Sequence, residues 1–343
     1  AYADLAVSGL GGHVGDPYLH VVIDGPRWVV DYDGDGSEPL ALDGTGSHTH
    51  EPEHSLTAYE WRIGAQVPST TTTLSTTLTA PETRIELEIF DDNVPVHTLE
   101  GHVDVRLVEP DEVPGVLARY FDASASGAAA LLDAVPSAAD HVEQRPSLNV
   151  GGTGQVGGSP FTGNVLVQLV GRVRIDSQGI YSLTALGGAG YRLILDDVPV
   201  TQPVLLIPGE HTLEARFAVD SLADLPLDVS LTSGGAGGPI AADALSHDET
   251  LVAPVIHAMT ESGALAGGEP ITIDGFGFFP SAQVVVHWGA QDLIAADLTS
   301  LSPTRIQFPS PPGGGAIAVS VETANGASNV RTFLYQLQGP API

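Results

Sequence analysis

Three aspartates stand at alternate positions before a glycine in Asp31-Tyr-Asp33-Gly-Asp35-Gly36, and Glu38 follows shortly after. Carboxylates spaced this way on a tight loop suit a hard cation that takes oxygen ligands, so Asp31, Asp33, Asp35 and Glu38 form a candidate calcium set. An EF-hand counted from Asp31 would need a bidentate acid at its twelfth position, which is Leu42 here, so the set is not an EF-hand. A second cluster follows in His48-Thr-His50-Glu51-Pro-Glu53-His54. A His-x-His pair on an extended segment points both rings to one side, which makes His48, His50 and His54 a candidate transition-metal set. The alternative for each cluster is a solvated polar loop. The chain has no G-x-S-x-G elbow and no P-loop. Adjacent acids such as Asp91-Asp92 and Asp196-Asp197 face opposite ways on a strand and make no acid–base pair. No catalytic residue is expected, and Ca2+ is the one cofactor suggested.

Both clusters lie on loops between strand-like segments. Leu40 and Leu42 alternate with polar neighbours as a half-buried strand, Gly44 and Gly46 permit a sharp exit, and Tyr59 and Trp61 share one face of the next strand. Together with Ile85–Asn93 (IELEIFDDN), the run LDGTGSHTHEPEHSLTAYEW resembles the core of polycystic-kidney-disease-type (PKD) repeats. That resemblance implies an immunoglobulin-like sandwich over 26–108 with a spacer or adhesive role. Residues 1–25 form an N-terminal extension, whose run Tyr18–Asp24 reads as an extra edge strand. Thr70–Leu78 reads as an exposed strand on the strength of its threonines.

The acidic, proline-bearing stretch Glu109–Gly115 marks a boundary. Beyond it Gly115–Asp122 (GVLARYFD), Val165–Val200 and Leu205–Val219 resemble the β-sandwich named after the anthrax protective antigen, giving a module over 115–250. Sugar-binding members of that family hold calcium with adjacent aspartates in a loop that here reads Leu186-Gly-Gly-Ala-Gly190, without an acid. Asp196-Asp197 falls instead at an expected hairpin turn. Ala123–Phe161 is expected to be mostly loop. In 251–338, Ala253-Pro-Val-Ile256, Gly267–Phe278, Val284–Gly289 and Phe333-Leu-Tyr335 resemble the IPT/TIG immunoglobulin-like domain of plexins, fibrocystin-like and bacterial surface proteins. Residues 339–343 echo Ala253–Ile256 and read as a linker or the start of another module.

Composition agrees with this all-β reading of three consecutive β-sandwich modules, immunoglobulin-like and jelly-roll-like. The 343 residues are 43% hydrophobic but only 6% aromatic, and the 40 glycines and 26 prolines are spread as turn residues between short strands, with almost no helix expected. There are 42 acids against 12 bases, all of them arginine, for a formal charge of −30. Such a surface opposes nucleic acid and anionic membranes and favours divalent cations, basic partners or high salt. Cysteine is absent, which excludes disulfides and thiol chemistry. No apolar run has membrane-spanning length, and Ala1 opens without a signal-peptide pattern, as in a mature chain or an excised piece. The expectation is an extracellular or cell-surface structural and adhesive segment, forming or spacing a filament or matrix through self-assembly or contact with other surface proteins. The alternative is a calcium-dependent carbohydrate-binding adhesin or an accessory module of a secreted enzyme, with glycans as partners.

Overall fold

A computed structural model describes residues 18–233, 236–279 and 283–336. The expectations for 1–17 and for 339–343 lie outside these residues. The chain is all-β, and it divides into two compact units at Pro110/Asp111.

In the first unit, strands β1 (Leu19–His20), β2 (Trp28–Val30), β3 (Glu38–Asp43), β4 (His48–Thr49), β5 (Leu56–Ile63), β6 (Gln66–Ser69), β7 (Thr73–Leu78), β8 (Glu82–Asp91) and β9 (Thr98–Val108) follow one another. Five of them form a sheet in the order β2-β9-β8-β5-β6, with β2 parallel to β9 and the rest antiparallel. The pair β3-β7 supplies Leu40, Leu42, Leu74 and Leu78, and the sheet supplies Trp61, Ile85, Leu87, Ile89, Val103 and Val105, to one buried cluster. The period-two alternation of β8 produces this burial: Ile85, Leu87 and Ile89 all point inward, and Asp91 continues the same phase. Trp61 is fully buried and its indole N–H donates to the Thr71 carbonyl at 2.9 Å. Gly44 is required by close approach, since a Cβ there would lie 2.8 Å from Leu87 Cδ2 and 3.2 Å from the Trp61 ring. The Tyr18–Asp24 run does not join the main sheet: only β1 is a strand, and it pairs with β4 while Leu19 enters the core.

The second unit begins with β10 (Val113–Pro114), β11 (Val116–Asp122), the four-residue helix α1 (Ala128–Leu131) and β12 (His141–Arg145). The expected loop Ala123–Phe161 therefore contains a strand, because the backbone of β12 finds a partner in Val116–Tyr120 on the free edge of β11. Next come β13 (Val165–Ile175), β14 (Gly179–Leu186), β15 (Gly190–Leu195), β16 (Val198–Pro199), β17 (Val204–Leu206), β18 (Gly209–Val219), β19 (Asp228–Ser233), β20 (Ala236–Pro239) and β21 (Leu245–His247). One sheet runs β10-β21-β13-β18-β15-β16 with β11 joined to β13 and β12 to β11, and a second runs β17-β14-β19-β20. Alternate residues from both, including Val167, Phe217, Tyr181, Leu183 and Val229, share one core.

The chain then forms β22 (Val255–Met259), β23 (Ser262–Ala264), β24 (Pro270–Phe276), β25 (Val285–Trp288), β26 (Gln291–Leu293), β27 (Ser300–Ser302), β28 (Arg305–Pro309), β29 (Ala316–Thr323), β30 (Gly326–Ala327) and β31 (Arg331–Gln336). Sheets β22-β24-β28-β27 and β23-β31-β29-β25-β26 enclose Ile271, Ile273, Trp288, Phe308, Phe333 and Tyr335. The buried polar tips are satisfied in series: Trp288 Nε1 donates to Tyr335 Oη at 2.8 Å, and that hydroxyl donates to Pro311 O at 2.6 Å. A separate apolar cluster joins the two sandwiches of this unit. Leu117, Phe121, Val142 and Leu166 come from the outer face of the first, and they pack with Val252, Val255 and Phe276.

Candidate metal centres

Asp31 follows β2, donates its N–H to Val108 O at 2.9 Å and is only 3% exposed. Its two carboxylate oxygens accept the N–H groups of Gly34 and Gly36, both at 2.8 Å. Those glycines have φ of 70° and 75°, a left-handed conformation that the tight loop imposes and that glycine adopts without steric cost. Asp33 Oδ1 accepts Asp35 N–H, and Asp35 Oδ1 accepts both Ser37 N–H and its hydroxyl. The loop therefore turns upon its own carboxylates, and one oxygen from each of Asp31, Asp33 and Asp35 lies within 4.8 Å of the others. Glu38 enters β3 beside them. Burial pushes its carboxyl above the ordinary value, and the negative charges of Asp33 and Asp31 push it further. The residues present fit a hard cation: three oxygen donors converge, with a fourth acid at the margin and two of the donors, Asp33 and Asp35, open to solvent.

The histidine cluster is rearranged relative to the sequence expectation. His48 and His50 approach edge to face with ring centroids 5.2 Å apart, but the third ring near them is His20, directly opposite His48 in the β1-β4 register and 4.9 Å from it. His54 turns elsewhere: its Nδ1 lies 2.9 Å from Asp92 Oδ1, a carboxylate that also accepts Ser55 N–H and Oγ. The hydrogen bond to Asp92 raises the His54 pKa, while the Ser55 N–H and then His54 lower that of Asp92. His48, His50 and His54 are thus not gathered as one ligand set.

A set that sequence spacing did not reveal joins Glu51, Asp91 and His97, whose ligand atoms lie within 4.8 Å of one another. The Asn93 side-chain amide sits between the two acids, donating to Asp91 Oδ2 at 2.7 Å and Glu51 Oε2 at 2.8 Å. Asp91 also accepts the N–H groups of Asn93 and His97, and Tyr18 stacks on the His97 ring at 4.3 Å. Burial pushes the Asp91 carboxyl up, but these hydrogen bonds outweigh it and hold its pKa at about 2. The signal in the sequence was the phase of Asp91, an acid in register with Ile85, Leu87 and Ile89.

In the second unit, Asp196 and Asp197 both have positive φ, at 50° and 62°, and close the β15-β16 hairpin. Asp196 further accepts Thr212 N–H and pairs with His211. At the junction of the two sandwiches, His257 Nε2 accepts Val142 N–H at 3.3 Å. Alongside, a cavity of about 470 Å³ opens on the outer face of the larger sheet under residues 251–253.

Residues 254–336 match the model of the IPT/TIG domain family, inside the segment whose sequence resembles it. No curated protein matches the chain. Among solved structures, the PA14 domain of the MpAFP antifreeze protein is 15% identical, covering 40% of this chain and 93% of that one at a TM-score of 0.32. The PA14 sugar-binding domain from an RTX adhesin is 16% identical, covering 39% and 99% at a TM-score of 0.29. The protein SGBP-B of the Bacteroides ovatus mixed-linkage glucan utilization locus, solved with a mixed-linkage heptasaccharide, is 14% identical, covering 91% and 67% at a TM-score of 0.24. At these scores what those proteins bind does not carry over to this chain.

Proposed function

We propose that this chain is a non-catalytic extracellular structural and adhesive segment, which spaces or assembles a surface filament or matrix through its sandwiches and is stiffened by calcium at Asp31, Asp33, Asp35 and Glu38. The observation that carries the reading is the apolar junction inside the second unit. Leu117, Phe121, Val142 and Leu166 meet Val252, Val255 and Phe276, and Asn325 Nδ2 donates to Val252 O at 3.2 Å, so the connection between the two sandwiches is packed rather than free to swing. A load-bearing spacer needs such coupling, whereas an enzyme accessory module on a tether does not. The PKD-type and IPT/TIG resemblances imply the same class of role. The carboxylates gathered in the first unit hold loop backbone, which suits a structural cation better than acid–base chemistry.

The test is calorimetry of the full chain together with light scattering across protein concentration, with calcium and with chelator. The reading expects the two sandwiches of the second unit to melt in one transition and the chain to form ordered assemblies. Independent melting of the two, with a monomer at every concentration and a calcium-dependent signal on a glycan array, would replace this reading with the carbohydrate-binding one.

A further inference from the structure

The ribbon made by β1 and β4 carries three imidazoles on one face. Register decides this: His20 stands directly opposite His48, and His50 lies two residues beyond His48, so the three share a side while Leu19, out of phase with them, enters the core at 2% exposure. Their ring centroids are 4.9 Å apart for the opposed pair, 5.2 Å apart along the chain from His48 to His50 and 6.0 Å apart on the diagonal from His20 to His50. The backbone beneath them is pinned. Ser47 Oγ accepts Val22 N–H at 2.9 Å and donates to Val22 O at 3.1 Å, while Thr49 Oγ1 and His50 N–H both donate to Tyr18 O, at 3.1 Å and 2.7 Å.

These rings also lack the partner that the chain gives to five of its other histidines. His54, His97, His211, His247 and His287 each lie against a carboxylate, whereas His20, His48 and His50 form no ion pair among the described residues. In a chain with 42 acids, that leaves their nitrogens uncommitted. One nitrogen is already set for a metal. His48 Nδ1 lies 3.0 Å from Gly46 O, and since a carbonyl only accepts, Nδ1 carries the hydrogen and Nε2 keeps its lone pair in the neutral ring. A carbonyl behind the ring is the support that metal-binding histidines commonly have. Three imidazoles at tetrahedral angles round a zinc ion, with Zn–N about 2.0–2.1 Å, put their ring centroids roughly 5 Å apart, close to the spacing on this face. The rings of His20 and His50 are tilted against His48 by 37° and 89° rather than aimed at one point, and rotation about the broad Cβ–Cγ torsion aims them without moving the backbone. Imidazole nitrogen selects zinc, copper or nickel over calcium or magnesium, and a formal charge of −30 draws divalent cations to the surface. We propose that His20, His48 and His50 together bind a divalent transition-metal ion of the zinc class. His20 takes the place that sequence spacing gave to His54. This goes beyond the structural role above and does not depend on calcium.

The experiment is calorimetric titration of the full chain with zinc chloride in excess calcium, which fills oxygen sites and has little affinity for imidazole. Saturable zinc binding is expected, and it should weaken as pH falls through about 6.5, where protons compete for the rings. His20→Gln and His50→Gln should each weaken it by about tenfold or more, the scale of loss when the support of a metal site is disturbed. His54→Gln should leave it unchanged. The replaced rings lie on the outer face, away from Leu19 and Ser47, which anchor the ribbon, so the fold is kept. In the wild type the ring resonances of His20, His48 and His50 should shift together as zinc is added, which a merely structural role would not produce. No zinc binding by the wild-type chain, or full affinity in both His20→Gln and His50→Gln, or an equal loss in His54→Gln, overturns the proposal.

Discussion

His141 and His257 stack with ring centroids 4.2 Å apart across the junction of the two sandwiches in the second unit, one on β12 and the other on β22. His257 accepts the Val142 N–H through Nε2, which only an unprotonated ring nitrogen can do. Burial lowers the pKa of His257 to about 4, and the charges of His141 and Arg331 act in the same direction, with Asp274 opposing. Burial lowers His141 as well. Because the folded-state pKa lies below the unfolded value of 6.5, the unfolded chain binds the extra proton between those two pH values, and stability falls as pH drops through that window. The His257 contribution amounts to up to about 3 kcal/mol once pH reaches 4. Chemical denaturation of the wild type and of His257→Gln, which keeps an acceptor for Val142, tests this. The variant should show a flatter pH dependence from 6.5 to 4, and parallel curves would remove the junction from the explanation.

Truncating Phe276 probes the same junction without any titration. Phe276 is 8% exposed at the end of β24 and packs into the cluster with Phe121 and Val255. Phe276→Ala should cost about 3 kcal/mol, the usual cost of a large aromatic lost from a packed site. More tellingly, it should split the melting of the second unit into two transitions, since the apolar contact between sandwiches is weakened while both separate cores remain. A single transition, merely shifted to lower temperature, would mean that the coupling lies elsewhere.

How far these features were legible in the sequence depends on whether their cause was local. Period-two burial in IELEIF, the core role of Trp61, and the turn at Asp196-Asp197 all follow from short-range alternation or turn chemistry, and the residues occupy those roles. The strand His141–Arg145 carries a single aliphatic residue, and it exists because β11 has a free edge, which no window around it records. His20 meets His48 only through the β1-β4 register, set by a pairing between distant parts of the chain, so the spacing of His48, His50 and His54 pointed to the wrong third ring. Likewise Leu117 and Arg119 stand two apart on β11 and so on one face. Their shared outer face became a cavity wall only once residues 251–253 were laid across it.

Asp91 offers a prediction that separates a structural acid from a catalytic one. With a folded pKa of about 2 against an ordinary 3.8, its contribution to stability is present above pH 3.8 and is lost as pH falls through 2. Asp91→Asn should lower the melting temperature by several degrees at neutral pH, because the new amide N–H₂ would confront the donors of Asn93 and His97 that the carboxylate now accepts. Glu51→Gln removes one charge from the margin of the same cluster and should have a smaller effect. Equal effects of the two would mean that Asp91 is not the anchor of the turn between β8 and β9.

The calcium proposal is tested best by leaving Asp31 intact, since its carboxylate holds Gly34 and Gly36 whether or not an ion is present. Asp33→Asn with Asp35→Asn removes two exposed donors and their mutual repulsion while sparing that anchor. In chelator the double variant should be as stable as the wild type or slightly more so, because fewer like charges crowd Glu38. Millimolar calcium should raise the melting temperature of the wild type, as binding to the folded state alone requires, and leave the variant unmoved. The titration of Glu38 gives an independent readout. Its raised pKa should drop towards the ordinary carboxylate range in calcium, since a bound cation reverses the field that Asp33 and Asp31 impose. A wild-type melting temperature indifferent to calcium, with the Glu38 titration unchanged, would assign these acids to the solvated surface and leave the packed junction as the sole source of stiffness.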